Sequence, residues 1–317
     1  MSRLKQAFVL GAGLGTRLRP LTDELPKPLV PIFQKRLITF AFDHLIDAGV
    51  RKFFVNTHHR PGCFADVFPE NRYRDCEIHC AHEPVLLETA GGIANIADLL
   101  GREPFIVYNG DILSDLPLAP LIDEHFRAGN MITLALRSGG GPQHIALESG
   151  RVIDIHNQLG TGAPEAFVFT GIYMVEPAFL DRLERGAKKS VIPHFLKLIR
   201  DGEKLGGVII DDGEWRDVGT PEAYLQLHRD LPGLPFPNFK VDDAGWRAVV
   251  HPTAEIGSGV EVMGCSVVGA GARIGSGTKL DDTIVWPGAQ IASRSELFRC
   301  IVRSRQKAAG VLHDAIV

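Results

Sequence analysis

From Val250 onward, aliphatic residues recur every six positions: Val250, Ile256, Val262, Val268, Ile274 and Leu280. After a one-residue slip the rhythm resumes at Val285, Ile291 and Leu297. Helices repeat at about 3.6 residues and strands at about 2, so neither explains this period. The positions that follow are often small, as in IGSGVE, VGAGAR and IGSGTK. A hexapeptide rhythm predicts a short left-handed parallel β-helix, in which each flat side turns one aliphatic residue inward. With three hexads to a coil, roughly three coils are expected.

Upstream the pattern is different. Gln6 to Leu10, Phe53 to Asn56, Phe105 to Asn109, Met131 to Leu136 and Phe167 to Val175 read as short apolar strands. Between them, RLITFAFDHLIDAG sets Leu37, Phe40, Ala41, His44 and Leu45 on one helical face and stops at Gly49. A second helix, Thr89 to Leu100, turns Ile93, Ile96, Ala97 and Leu100 inward. Alternating strands and helices predict an α/β, Rossmann-like domain with a mostly parallel sheet. Ligands bind such sheets beyond the carboxyl ends of the strands. LPGLPFPNFK, with its three prolines, marks the change of character. The expected division is a catalytic domain over 1–230, a linker over 231–247 and the β-helix over 248–317.

Charge and composition narrow the classes. A formal net charge of −4 gives no general attraction to nucleic acid or an anionic membrane. No apolar run approaches the roughly 20 residues that span a bilayer. MSRLKQAFVLGAGLG runs straight into a glycine-rich turn without a cleavage pattern, and reads as the first strand. Five cysteines, an odd number without a disulfide rhythm, fit a reducing cytoplasm. Cys76, His79, Cys80 and His82 lack a second ligand pair at zinc spacing, and CEIHCAHEP reads as a strand.

The chemistry concentrates in Gly11 to Ile32, GAGLGTRLRPLTDELPKPLVPI, directly after the first strand. Gly11, Gly13 and Gly15 let the backbone approach an anion and turn N–H groups toward it. Arg17 and Arg19 can neutralise phosphate oxygens. Lys27 is stiffened between two prolines. A Walker loop would need Gly-Lys-Ser/Thr, whereas Gly15 is followed by Thr16 and Arg17. A dinucleotide fold would need a third glycine where Thr16 stands, and a helix where the prolines lie.

Gly-x-Gly-Thr-Arg-Leu-x-Pro-Leu-Thr followed by Pro-Lys-Pro-Leu resembles the signature of the sugar-phosphate nucleotidylyltransferases, and the resemblance runs to about residue 230. It implies an enzyme that uses Mg²⁺ to make a nucleotide-sugar and pyrophosphate from a nucleoside triphosphate and a sugar 1-phosphate. It assigns Arg17 and Lys27 to catalysis, and Gly11, Ala12, Gly13, Gly15 and Thr16 to the nucleotide. HEPVLLETAGGI resembles the base-binding segment, adding Glu83, Thr89, Gly91 and Gly92. Asp111, in Asn-Gly-Asp after a buried strand, and Asp217, in EWRDVGTPEAY, match the two metal aspartates. Gly110 and Gly171, the latter within VFTGIYMV, fall to the sugar pocket.

One region departs from the family. Where many members carry a Glu-Lys-Pro-like stretch, this chain reads RVIDIHNQLG. Asp154, His156 and Asn157 are the polar candidates there, and Lys188 or Lys189 is the candidate cation for the sugar phosphate. A nucleotidyltransferase domain with a short hexapeptide tail resembles the mannose-1-phosphate guanylyltransferases. ETAGGI and the missing lysine resemble the N-acetylmuramate 1-phosphate uridylyltransferases. A bifunctional acetyltransferase reading lacks coil length and a catalytic setting for His251 or His313. A non-catalytic regulatory or assembly subunit would not need Gly15, Arg17, Lys27, Asp111 and Asp217. The β-helix is expected to join copies into a homo-oligomer, and a chain cut near residue 235 is expected to keep its phosphate and metal sites.

Overall fold

The computed structural model describes residues 4–241, 243 and 245–317. Residues 1–3, at the start of the expected catalytic domain, and Asp242 and Ala244, within the expected linker, lie outside the described residues. The chain packs as two compact units. One comprises the residues up to Leu14, Phe40–Arg216 and Pro237–Lys240; the other comprises Gly15–Thr39, Asp217–Phe236 and the stretch from Val241 to Val317.

Among the described residues, the first unit is built on a ten-stranded sheet. Its order is Ile145–Glu148, Arg151–Ile155, Leu205–Ile209, Ile132–Arg137, Val168–Val175, Phe105–Asn109, Gln6–Leu10, Lys52–Thr57, Cys76–His82 and Arg72–Tyr73. Phe105–Asn109, Gln6–Leu10, Lys52–Thr57 and Cys76–His82 run parallel side by side. Their carboxyl ends therefore gather Gly11, Asn56, Glu83 and Gly110 at one end of the sheet. Val168–Val175 runs antiparallel to both neighbours, and its register slips between Phe169 and Tyr173.

The core follows from the apolar pattern. Phe8, Phe54, Phe105 and Val107 pack with Ile93, Ile96 and Leu100, each large side chain contributing about 1.5–3 kcal/mol on full burial. Helix Leu37–Asp47 buries Leu37, Phe40, Ala41, His44 and Leu45. Helix Glu88–Asn95 stops five residues short of the expected Leu100. Ile96 N–H turns back to the carbonyls of Ile93 and Ala94, a tightening that closes the helix while Ile96 and Leu100 stay buried.

In the second unit, three rows of parallel strands form the β-helix. Glu255–Ile256, Arg273–Ile274, Gln290–Ile291 and Lys307–Ala308 stack in one row. Glu261–Met263, Lys279–Asp281, Glu296–Phe298 and Val311–His313 form the second, and Val267–Val268, Ile284–Val285 and Ile301–Val302 the third. Val268, Ile274, Leu280, Val285, Ile291 and Leu297 fill its core, while Ile256, in the first coil, is exposed. Two rows reach a fourth strand, so the stack is longer than the three coils expected. The slip before Val285 recurs before Val302 once per coil, and this second slip hides Val302 and Ala308 from a strict six-residue count.

Three short 3₁₀ turns, Thr16–Leu18, Leu21–Asp23 and Lys27–Leu29, shape the glycine-loop segment of the same unit. Helix Pro221–Asp230 begins at Thr220, whose hydroxyl accepts from Ala223 N–H (3.2 Å). The proline-rich stretch is packed: Phe236 and Phe239 are buried, and Phe239 stacks on His44 with ring centres 4.7 Å apart. Among the described residues no helix is long and apolar enough to cross a membrane.

Candidate active site

Gly15 has φ +57°, in the left-handed region that glycine enters without strain. That turn brings the Gly15 carbonyl to Leu18 N–H (2.9 Å) and to the Thr22 hydroxyl (2.9 Å). A side chain at Gly15 would press on Thr22 Cγ2 at 2.8 Å and on Lys27 Cβ at 3.2 Å. The loop therefore folds back until Arg17 and Lys27 share one partner. Lys27 Nζ donates to Asp217 Oδ1 (2.9 Å), and Arg17 Nη2 donates to Asp217 Oδ2 (3.2 Å). Gly219 lies flat against the pair: a Cβ there would sit 3.0 Å from Asp217 Oδ2 and 3.2 Å from Arg17. The Lys27 side chain is 6% exposed and that of Arg17 70%. Burial pushes the Asp217 carboxyl upward, but Lys27 and Arg17 together outweigh it and hold the group below the ordinary carboxylate value. Asp217 is ionised at neutral pH. Two cations poised on one ionised, part-exposed carboxylate can be transferred to phosphate oxygens.

In the first unit, Asn56 is the organising residue. Its Oδ1 accepts from Gly11 N–H (2.8 Å) and its Nδ2 donates to Glu83 Oε1 (2.8 Å). Glu83 is fully buried, and its Oε2 accepts from Leu87 N–H (2.9 Å). Gly92 packs on the same pair: a Cβ would lie 2.9 Å from Asn56 Nδ2 and 3.0 Å from Glu83 Oε1. Gly11, Glu83 and Gly92 thus converge through Asn56, which motif reading missed. A polar pair, Asn56 and Thr57, after the apolar run of the strand KFFVNT was the available signal. Ala12 is buried; Gly13 and Thr16 are exposed.

The start of helix Glu88–Asn95 is closed by a neighbouring segment. Ala90 and Gly91 N–H donate to the Lys189 carbonyl (3.0 and 3.2 Å), and the Thr89 hydroxyl accepts from Val191 N–H (2.8 Å). A Cβ on Gly91 would meet the Ala187 carbonyl at 2.3 Å. Packing alone requires glycine there. Lys188 lies 3.9 Å from Glu88, and Lys189 pairs with Glu184.

Gly171 has φ +81° and sits in the register slip of Val168–Val175, a bulge that re-aims the strand. The Asn109 amide fills its place: a Cβ would come within 2.3 Å of Asn109 Nδ2. Asn109 and Gly171 are therefore one feature, and Asn109 is a second residue that motif reading left unassigned. The following Gly110 donates its N–H to the Leu10 carbonyl (2.9 Å), and half-buried Asp111 comes next. Asp154 serves the fold: its carboxylate accepts from Ile155, Leu159 and Thr161 N–H (2.7, 3.0 and 3.2 Å). Burial pushes the Asp154 carboxyl upward, yet these hydrogen bonds hold it below the ordinary value. His156 stacks on His144 at 4.6 Å.

Among the described residues, no three metal-ligating side chains gather in one cluster. Asp217, ionised by its neighbours, and, in the first unit, Asp111 each offer a carboxylate of the kind Mg²⁺ takes. That ion takes one or two protein carboxylates and completes its shell with substrate phosphates and water.

The family model described as "Nucleotidyl transferase" matches residues 6–232. The mannose-1-phosphate guanylyltransferase of Mycobacterium tuberculosis is 33% identical, over 90% of this chain and 80% of its own length. A probable mannose-1-phosphate guanylyltransferase of Oryza sativa subsp. japonica is 29% identical over 94% and 85%. A UTP–glucose-1-phosphate uridylyltransferase of Synechocystis is 26% identical over 91% and 86%. A solved UDP-glucose pyrophosphorylase from Acinetobacter baumanii shares the fold, with a TM-score of 0.62 and 16% identity over 74% of this chain and 95% of that one.

Proposed function

This chain belongs to the nucleotidyl transferase family, and on that premise we propose that it joins GTP and mannose 1-phosphate into GDP-mannose and pyrophosphate. The observation that carries the reading is the convergence of Arg17 and Lys27 on Asp217 behind a glycine turn. The choice of GTP and mannose 1-phosphate rests on the names of the relatives that match across both parts of the chain.

The sugar phosphate oxygen attacks the α-phosphorus while the bond from that phosphorus to the pyrophosphate oxygen breaks. An ionised phosphate is already a nucleophile, so positioning and charge neutralisation carry catalysis. Arg17 takes oxygens of the departing pyrophosphate, and Lys27 takes oxygens near the reacting phosphorus. Both cations leave Asp217 for the substrate, which frees its carboxylate oxygens. Asp111 and Asp217 would hold Mg²⁺, which when bound spreads the charge on the α-phosphate. Gly11, Ala12, Gly13, Gly15 and Thr16 wrap the nucleotide. Glu83 and Gly92 act through Asn56, shaping the turn before Thr89 and Gly91 that receives the base and ribose. Gly110 and Gly171 receive the sugar, with Asn109 between them. The β-helix joins copies of the chain, supported by exposed Ile256, Met263, Phe298 and Val311 on its coils; sedimentation of the full chain tests this.

The test is pyrophosphate release from four nucleoside triphosphates against a panel of sugar 1-phosphates, with and without Mg²⁺. GTP with mannose 1-phosphate should give the highest kcat/KM, and chelation should abolish turnover. Preference for UTP with another sugar phosphate would overturn the substrate assignment, and no release from any pair would overturn the reaction.

A further inference from the structure

The loop that carries Arg17 and Lys27 and the helix that follows Asp217 are both fastened to the coils. Between Arg17 and Lys27 the loop is held at Glu24 and Pro20. Gln306 Nε2 donates to Glu24 Oε1 (2.9 Å); Arg303 Nη1 lies 3.4 Å from the same oxygen and 3.4 Å from the Pro20 carbonyl. Beyond Lys27 the loop is held at Pro31. Its carbonyl accepts from the Tyr224 hydroxyl (2.5 Å), and that hydroxyl accepts from Trp286 Nε1 (3.0 Å). Tyr224 and Trp286 are fully buried, so this relay satisfies an indole N–H and a phenol with no water at hand. Gln34 then donates to the carbonyls of Ala248 and Val268 (2.8 and 3.1 Å).

Asp217 is reached the same way. Tyr224 belongs to Pro221–Asp230, the helix that starts just after Asp217. Near the other end of that helix, Arg229 places Nε and Nη2 on Asp282 Oδ2 (3.1 and 2.7 Å), and Asp282 Oδ1 accepts from Cys265 N–H (2.9 Å). The loop and the helix thus meet on one rigid object, whose strands are locked by parallel pairing.

We propose that the β-helix is the template that sets the phosphate loop, with Tyr224, Trp286 and Arg303 as positioning residues for Arg17 and Lys27. This rests on the nucleotidyl-transfer reading. A cation displaced by about 1 Å from a reacting phosphate forfeits on the order of 10² in rate, so turnover depends on the coils through the loop they brace. The contacts run against the expectation that a chain cut near residue 235 keeps its phosphate site. Such a cut removes Arg303 and Gln306, and with them the supports at Pro20 and Glu24, and it removes Trp286, the indole that holds the Tyr224 hydroxyl behind Pro31.

The experiment uses the full chain with Tyr224→Phe, which deletes only the relaying hydroxyl, and with Arg303→Met and Arg303→Lys. Lys279→Gln, which alters an exposed pair on the coils, is the control. Two readouts are taken: hydrogen exchange of the Leu18, Asp23, Leu29 and Val30 amides without substrate, and separate KM values for nucleotide and sugar phosphate. Tyr224→Phe and Arg303→Met should each speed exchange at these amides by about tenfold. They should raise the nucleotide KM or lower kcat by about tenfold, with the sugar-phosphate KM within about twofold. Arg303→Lys should recover part of the loss. Control-like exchange and kinetics in both variants would overturn the proposal, as would a fall in Tm with neither kinetic constant changed. Should Tyr224→Phe fail to fold, Arg303→Met, at a partly exposed contact, decides. Should the wild type release no pyrophosphate, the transfer reading falls and the exchange data alone judge the brace.

Discussion

Lys27 is buried while its partner is not: Nζ donates to Asp217 Oδ1 over 2.9 Å, with side-chain exposures of 6% and 40%. The asymmetry decides what each substitution does. Asp217→Ala strips a buried ammonium of this carboxylate, so unfolding free energy should fall by about 1–2 kcal/mol, less than for a fully buried pair because Asp217 is part-exposed. Turnover should fall by about 10²-fold or more in the same variant. Denaturant titration and steady-state kinetics on one preparation check both; unchanged turnover in a folded variant removes Asp217 from the site.

Arg17 stands at the other extreme. It is exposed and holds Asp217 through one nitrogen at 3.2 Å. Arg17→Ala should change stability by less than about 0.5 kcal/mol yet lower kcat/KM by about 10²-fold or more. Arg17→Lys should restore only part, because the forked donor geometry is lost. Wild-type kinetics in Arg17→Ala would make Arg17 a surface charge.

Gly171→Ala tests the sugar side. The new Cβ would strain a backbone at φ +81° and displace the Asn109 amide. Stability should drop by about 1–3 kcal/mol, and the KM for sugar phosphate should rise at least about tenfold while the nucleotide KM holds. Equal rises in both constants would detach Asn109 and Gly171 from sugar recognition.

Acid should weaken the fold before the carboxylates titrate. Burial lowers His44 to about 3, and His125 and His228 to about 4, against an ordinary 6.5. Unfolded imidazoles bind protons that the buried ones refuse. Stability is therefore complete above about 6.5 and declines as pH falls toward the folded values, by about 2 kcal/mol for each histidine at pH 5. The Tm should drop by at least about 5 °C between pH 7.5 and pH 5. A flat profile over that range would mean that these histidines take up protons equally in the folded and unfolded states.

What could be read from the chain was local. The glycine turn, the cations of the loop and the aliphatic rows are written in neighbouring residues, so spacing alone exposed them. Asn56 and Asn109 escaped because their roles come from partners elsewhere: Asn56 joins Gly11 to Glu83, and Asn109 fills the space left by Gly171. Asp154 is a polar candidate in the sequence only by lying where the family carries its Glu-Lys-Pro-like stretch; its hydrogen bonds close the loop that follows it. The coil count came out short because the slips belong to the stacking of successive coils. No periodicity links Arg303 to Pro20 or Trp286 to Tyr224; only the fold brings them together.

Transfer of a nucleotidyl group to a sugar phosphate fixes the stoichiometry of what is consumed and released. The most direct measurement follows GTP, pyrophosphate, GDP-mannose and GMP together in one reaction with mannose 1-phosphate and Mg²⁺, for the wild type and for Lys27→Met. One pyrophosphate and one GDP-mannose should appear for each GTP consumed, with no GMP, and the rate should be about 10²-fold or more lower in Lys27→Met. Pyrophosphate released with GMP and no sugar nucleotide would make the reaction a hydrolysis, and the same rate in Lys27→Met would remove Lys27 from it.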